Sequence, residues 1–248
     1  MKSHRRSLIL VGLVLIALLV SVALNYALYK QGKRYYSELN ALRLDPLERR
    51  YFKDTEPPES GLPLVVIYGD SRAASWPSAD LGQLEFVNRG IPAQTSVQVL
   101  ERFDYDIKPL RPKVMLIQVG INDLKTIPLF PDNRQVIVAN CKENIQRLVE
   151  KSIDLGASVI LTTIFPVGEV PLERRLFWSD EVDVAIGDVN DYIRSLAGGQ
   201  VTVLDAHSVL VGDNGSTRPE YSQDQLHLTA AGYRRLNSEL MPILENVE

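Results

Sequence analysis

The sequence predicts an α/β domain on a mostly parallel five-stranded sheet, preceded by one N-terminal transmembrane helix. Three observations predict it. The run Ser7–Tyr29 carries no charge and is mostly Leu, Val, Ile and Ala. Beyond residue 61, apolar runs of strand length alternate with amphipathic stretches of helix length, the pattern of a parallel sheet with crossover helices. Polar clusters rich in Gly, Asn, Asp and Ser fall just after the first three of those runs. Ligand sites in such folds form outside the C-terminal ends of the strands.

Residues 1–6 form a basic tail with Lys2, Arg5 and Arg6. Residues 7–29, as a helix, span about 35 Å, enough for a hydrocarbon core of roughly 30 Å. A cleaved signal peptide has a shorter apolar core of about 7–15 residues and a small-residue cleavage site. This run is longer and ends Asn25-Tyr26-Ala27-Leu28-Tyr29, so a retained signal anchor is expected. Lys30, Lys33 and Arg34 balance the basic residues of the tail, so counting charges does not orient the helix. A short basic tail before a long domain reads as N-in, which places the domain outside the cytoplasm. Residues 30–60 read as a juxtamembrane stalk, helical until Pro46, then an acidic linker with Pro57 and Pro58. Residues 61–248 are the size of one domain.

Within that domain, Leu64–Tyr68 is a continuous apolar run, as expected of a strand buried on both faces. Further strands are expected at 85–88, 114–119, 159–164 and 201–204. Helices are expected at 94–103, 133–155, 181–196 and 229–244. Ile137, Cys141, Ile145 and Leu148 make an apolar stripe, with Gly156 as C-cap. Thr229 is placed to cap the last helix. Cys141 is the single cysteine, so no intrachain disulfide forms, and its place in the stripe makes it a buried thiol. No CxxC or HExxH pattern is present, and the net charge of −4 gives no support to nucleic-acid binding.

The chemistry lies in two short motifs. Gly69-Asp70-Ser71 follows the first strand, and Asp224-Gln225-Leu226-His227 precedes the last helix. They supply a serine, a histidine and a carboxylate, the parts that activate a hydroxyl for acyl transfer. Asn88-Arg89-Gly90 follows the second strand and Gly120-Ile121-Asn122-Asp123 the third. His207, after Asp205, is an alternative base. Asp70 and Asp123 fit structural roles on loop N–H groups. Trp76 and Phe165 fit either a pocket wall or the core.

These four segments resemble the blocks of the SGNH hydrolase superfamily, which includes the GDSL-type lipases and esterases. The resemblance spans the domain and implies a three-layer, flavodoxin-like α/β/α fold. It implies Ser71 as nucleophile, His227 as general base and then acid, and Asp224 as the group that orients the imidazole. It implies an oxyanion hole from the N–H groups of Ser71 and Gly90 with the Asn122 amide, and neither metal nor organic cofactor. Arg72 stands where GDSL proteins carry leucine, and Ala93 where relatives often carry glycine. No G-x-S-x-G is present, unlike the α/β-hydrolases. The function expected is a membrane-anchored serine esterase, with O-deacetylation of an envelope or exported glycan favoured because no extended apolar lid is evident. A lysophospholipase or thioesterase, an O-acyltransferase and an inactive binding module on the same fold are the alternatives. Oligomeric state is not encoded legibly.

Overall fold

The computed structural model describes residues 2–52, 56–79 and 81–246. Asp54, where the acidic linker was expected to begin, lies outside them. The chain divides into two compact units, residues 1–48 and 49–248. The first is dominated by α1 (Lys2–Leu44), an uninterrupted helix. Its apolar part has a mean hydropathy of 3.0, long and apolar enough to cross a membrane by length and composition. The helix stops one residue short of Asp45, the residue before Pro46, which proline disfavours in helical geometry.

The second unit is a three-layer α/β/α domain. Its strands are β1 (Leu64–Gly69), β2 (Glu85–Gly90), β3 (Val114–Gln118), β4 (Ser158–Thr162) and β5 (Val201–Leu204). They are all parallel, in the order β2-β1-β3-β4-β5. Alternation along each strand sends side chains to two cores. Val66, Tyr68, Met115, Ile117, Val159 and Leu161 face one cluster, with α6 (Arg134–Asp154) and α7 (Glu181–Ser195) packed over it. Val65, Ile67, Val114, Leu116 and Ile160 face the other, covered by Leu236, Leu240 and Leu244 of α9 (Ala230–Glu245). Both faces being covered explains why β1 and β3 are buried at every residue.

The expected helix at 94–103 is two short helices, α3 (Ser96–Glu101) and α4 (Phe103–Asp106). They meet at Arg102, whose side chain turns inward beneath the strand ends. The fourth strand ends at Thr162 rather than Ile164, because the Asn190 side chain takes both the N–H (2.7 Å) and the C=O (2.9 Å) of Ile164. Short helices α2 (Ser71–Ala74), α5 (Ile121–Leu124) and α8 (Ala206–Leu210) were not anticipated. Thr229 caps α9, its Oγ1 accepting from the Gly232 N–H at 3.2 Å. Cys141 is fully buried, and burial pushes its thiol up. Trp76 and Phe165 are both buried, with ring centroids 5.9 Å apart, so both belong to the core. Strand order reverses between β1 and β3, which makes their C-terminal ends the switch point where α/β folds place ligands.

Candidate active site

At that switch point β1 ends on Gly69, whose φ is +149° and where a Cβ would lie 1.7 Å from the Gln118 carbonyl oxygen of β3. Only glycine fits this approach. Asp70 then caps α2, its Oδ1 accepting from the Arg72 N–H at 2.9 Å. Ser71 is thereby placed at the first position of α2, at the mouth of the sheet.

His227 arrives from 156 residues away, and its Nε2 lies 3.1 Å from Ser71 Oγ. Its Nδ1 lies 2.9 Å from Asp224 Oδ2. The Asp224 carboxylate also accepts the N–H groups of Leu226 (2.7 Å) and His227 (2.8 Å). Burial works to raise the Asp224 pKa, yet these bonds and the imidazole outweigh it and bring it to about 2. The carboxylate therefore stays ionised and fixes the proton on Nδ1, which leaves Nε2 free to accept from the serine. His207 makes no such pairing: Asp205 is engaged by Arg194, Thr163 and Ser208.

Asn122, on α5, is buried, and its Nδ2 donates to the Gln94 carbonyl at 2.9 Å. This leaves one amide hydrogen for another acceptor. The expectation for Gly90 needs correction. Its N–H donates to Asn88 Oδ1 at 2.8 Å and is already used. Gly90 is needed for close packing, since a Cβ there would lie 2.1 Å from the Ala74 nitrogen. The turn that follows, Ile91-Pro92-Ala93-Gln94, has proline at its second position and a φ of +64° at Ala93, the pattern of a type II turn, which favours glycine there. The Ala93 N–H has no partner among the described residues, and Ala93 precedes the residue that Asn122 holds.

Asp70 and Asp123 are structural. Asp123 accepts the Ser96 N–H (2.8 Å) and hydroxyl (2.6 Å), tying α5 to α3. Two buried arginines were missed as parts of the site. Arg72 donates from Nε to the Leu226 carbonyl (2.8 Å) and from Nη1 to the Phe165 carbonyl (3.2 Å). It thus joins the residue after Ser71 to the loop that carries His227. Arg102 donates to Gln94 Oε1 (2.6 Å), Asp106 (2.7 Å) and the carbonyls of Gly69 (3.0 Å) and Arg89 (2.9 Å). A charged residue directly after Ser71 was a visible signal for Arg72; nothing in the local sequence marked Arg102.

The sequence matches the GDSL-like lipase/acylhydrolase family across residues 60–235. The chain belongs to this family. It is 28% identical over 138 residues to the uncharacterized lipoprotein YqeF of Bacillus subtilis (strain 168), covering 49% of this chain and 56% of that protein. The match thus spans little more than half of that curated relative. Among solved structures, a GDSL-like lipase from Bacteroides thetaiotaomicron VPI-5482 aligns over 87% of this chain and 98% of its own, with a TM-score of 0.61 and 23% identity. The acetyl xylan esterase AlAXEase aligns over 73% of this chain and 99% of its own, with a TM-score of 0.60 and 19% identity. These likenesses establish the GDSL fold.

Leu172 (77%), Leu176 (87%) and Phe177 (64%) stand exposed in the 3₁₀ segment between β4 and α7. Three apolar residues interrupted by Glu173, Arg174 and Arg175 are unremarkable in sequence, because exposure is set by what packs over them.

Proposed function

We propose that this GDSL-family protein is a membrane-anchored serine ester hydrolase working through an acyl-enzyme. One observation carries the reading: Ser71 Oγ, the His227 ring and the Asp224 carboxylate form a continuous chain of contacts at 3.1 and 2.9 Å. In the first half-reaction Ser71 Oγ attacks the ester carbonyl as His227 Nε2 takes its proton. The tetrahedral oxyanion is held by the Ser71 N–H, the Asn122 amide and, in place of Gly90, the Ala93 N–H. The C–O bond then breaks, and the imidazolium gives its proton to the departing alcohol. In the second half-reaction water attacks the acyl-serine, His227 again takes the proton, and the acid leaves as Ser71 Oγ is reprotonated. Neither half-reaction calls on a metal or organic cofactor.

The apolar part of α1 is assigned as a retained anchor over residues 7–29, with residues 30–60 as stalk and linker and 61–248 as the catalytic domain outside the cytoplasm. The lipoprotein name of YqeF supports an envelope setting. O-deacetylation of an envelope or exported glycan is the favoured reaction, supported by the likeness to an acetyl xylan esterase. A longer acyl chain is the second reading, favoured by the exposed Leu172, Leu176 and Phe177.

The test uses the protein as wild type and as Ser71→Ala, assayed on p-nitrophenyl esters from acetate to palmitate and on acetylated oligosaccharides. The wild type alone turns over. Retained turnover in Ser71→Ala refutes the nucleophile, and the chain-length preference separates a deacetylase from a lipase.

A further inference from the structure

Beside the triad lies a group of hydrogen-bond donors that the proposed ester chemistry does not use. Gln225, two residues before His227, is buried at 2% exposure, and its Nε2 has no partner among the described residues. Its Oε1 faces Arg174, whose Nη1 lies 3.5 Å away. The Arg174 side chain makes no other hydrogen bond or ion pair among the described residues. The Arg72 Nη2 is fully buried and likewise without a partner. Lys125 directly follows α5, which carries Asn122, and is half-buried. Its ammonium has no hydrogen bond or ion pair among the described residues and stands one helical turn beyond Asn122; burial works against its charged form, and the charges of Asp70, Arg174 and Arg72 act on it.

These groups come from four segments: the start of α2, the end of α5, the 3₁₀ segment before α7 and the His227 loop. Arg72 bonds the carbonyl of Leu226, the neighbour of Gln225, and Arg174 meets Gln225 itself, so three of the four are joined by direct contacts. Of the three nearby carboxylates, Asp224 is occupied by the N–H groups of Leu226 and His227 and by the His227 ring. Both oxygens of Asp123 are taken by Ser96. One oxygen of Asp70 accepts the Arg72 N–H; the other is buried and unpaired. Donors thus outnumber acceptors, and buried donors left open call for a partner. Such a set of guanidinium, ammonium and amide N–H groups matches the oxygens of a carboxylate or phosphate.

We propose that Lys125, Arg174 and Gln225, backed by Arg72, form an anion subsite of the active site that selects esters carrying a carboxylate or phosphate group. The proposal rests on the ester-hydrolase reading and adds a substrate class to it. A uronate-bearing glycan would supply the carboxylate; a phospholipid or phosphorylated glycan would supply the phosphate.

The test compares kcat/KM of the full chain on three acetate esters: phenyl acetate, 4-acetoxybenzoate and 4-acetoxyphenyl phosphate. The anionic-to-neutral ratio exceeds one in the wild type and falls about tenfold in Lys125→Gln and in Arg174→Gln, the worth of one charge-assisted contact. Added salt lowers it. Arg175→Gln, a neighbour outside the subsite, keeps the wild-type ratio. The benzoate and phosphate arms identify which anion is preferred. Serine-dependent turnover with an unchanged ratio in both subsite variants overturns the subsite and leaves the esterase standing. Should no ester be hydrolysed in a Ser71-dependent manner, the esterase reading fails. Calorimetric binding of inorganic phosphate and of benzoate to the full chain then decides the subsite: binding that Lys125→Gln abolishes supports it, and no binding overturns it.

Discussion

Replacing Arg102 by methionine tests how the site is held. The guanidinium is completely buried, pairs with Asp106 at 2.7 Å and stacks 4.4 Å from the centre of the Tyr68 ring. It also donates to the ends of two strands and to Gln94. Methionine replaces the apolar stem and none of these bonds. The Asp106 carboxylate, at 2% exposure, is then buried without a counterion. Breaking a buried pair from one side costs about 3–5 kcal/mol, a large share of the roughly 5–15 kcal/mol that holds a domain together. The double variant Arg102→Met, Asp106→Leu removes both charges and recovers most of the loss, since burying neither ion avoids both desolvation costs. Urea unfolding of residues 49–248, whose cores lie wholly within residues 64–244, gives the values through the fluorescence of buried Trp76. A loss below about 1 kcal/mol in the single variant, the scale of a surface pair, refutes the reasoning. So does a double variant as unstable as the single. In the surviving folded fraction kcat falls more than KM rises, because Gln94 both receives the Arg102 bond and holds Asn122.

Further outcomes follow from the same geometry. Asn122→Ala lowers kcat by about 10²–10³ on any substrate the wild type hydrolyses, the cost of one oxyanion donor; an unchanged kcat removes Asn122 from the hole. Asp224→Asn lowers kcat by about 10⁴, since an amide no longer fixes the Nδ1–H tautomer, and a loss under tenfold argues that Asp224 is dispensable. Gly90→Ala fails to give folded protein, because the new Cβ meets backbone rather than a flexible side chain, whereas Ala93→Gly folds with little change in Tm. At position 93 the relief of a left-handed alanine, about 1–2 kcal/mol, is partly offset by the greater freedom of glycine in the unfolded chain, about 0.4–1 kcal/mol. Burial pushes the Asp70 carboxyl up to about 6, against the pull of Arg72. A raised acid favours the folded state below its unfolded value near 4, and that contribution is lost as pH rises through about 6. The shift corresponds to about 3 kcal/mol. Asp70→Asn keeps the acceptor for the Arg72 N–H and removes this dependence; parallel stability–pH curves for the two proteins refute it.

Much of this was legible in the sequence because it is local. Apolar runs flanked by helical periodicity are enough to place five strands and the long helices, since burial on both faces demands continuous apolar strands. Thr229 was readable as a cap because capping needs only neighbouring N–H groups. Asp224 and His227 stand three apart, a spacing at which the Asp224 carboxylate reaches both the His227 backbone and its ring. The long-range terms were not legible. Gly90 and Ala93 lie three residues apart, and only the packing of Gly90 against Ala74 and the bond to Asn88 show which N–H is left open.

The sequence by itself determined the alternating α/β architecture, the apolar N-terminal helix and the serine, histidine and carboxylate with their order along the chain. Only the tertiary structure decided that His227 rather than His207 meets Ser71. It also decided that Arg72 and Arg102 are buried ties, and that Arg174 meets Gln225. The physical reason is the range of the forces: periodicity and capping act within a few residues, whereas burial and ion placement depend on elements brought together from across the chain.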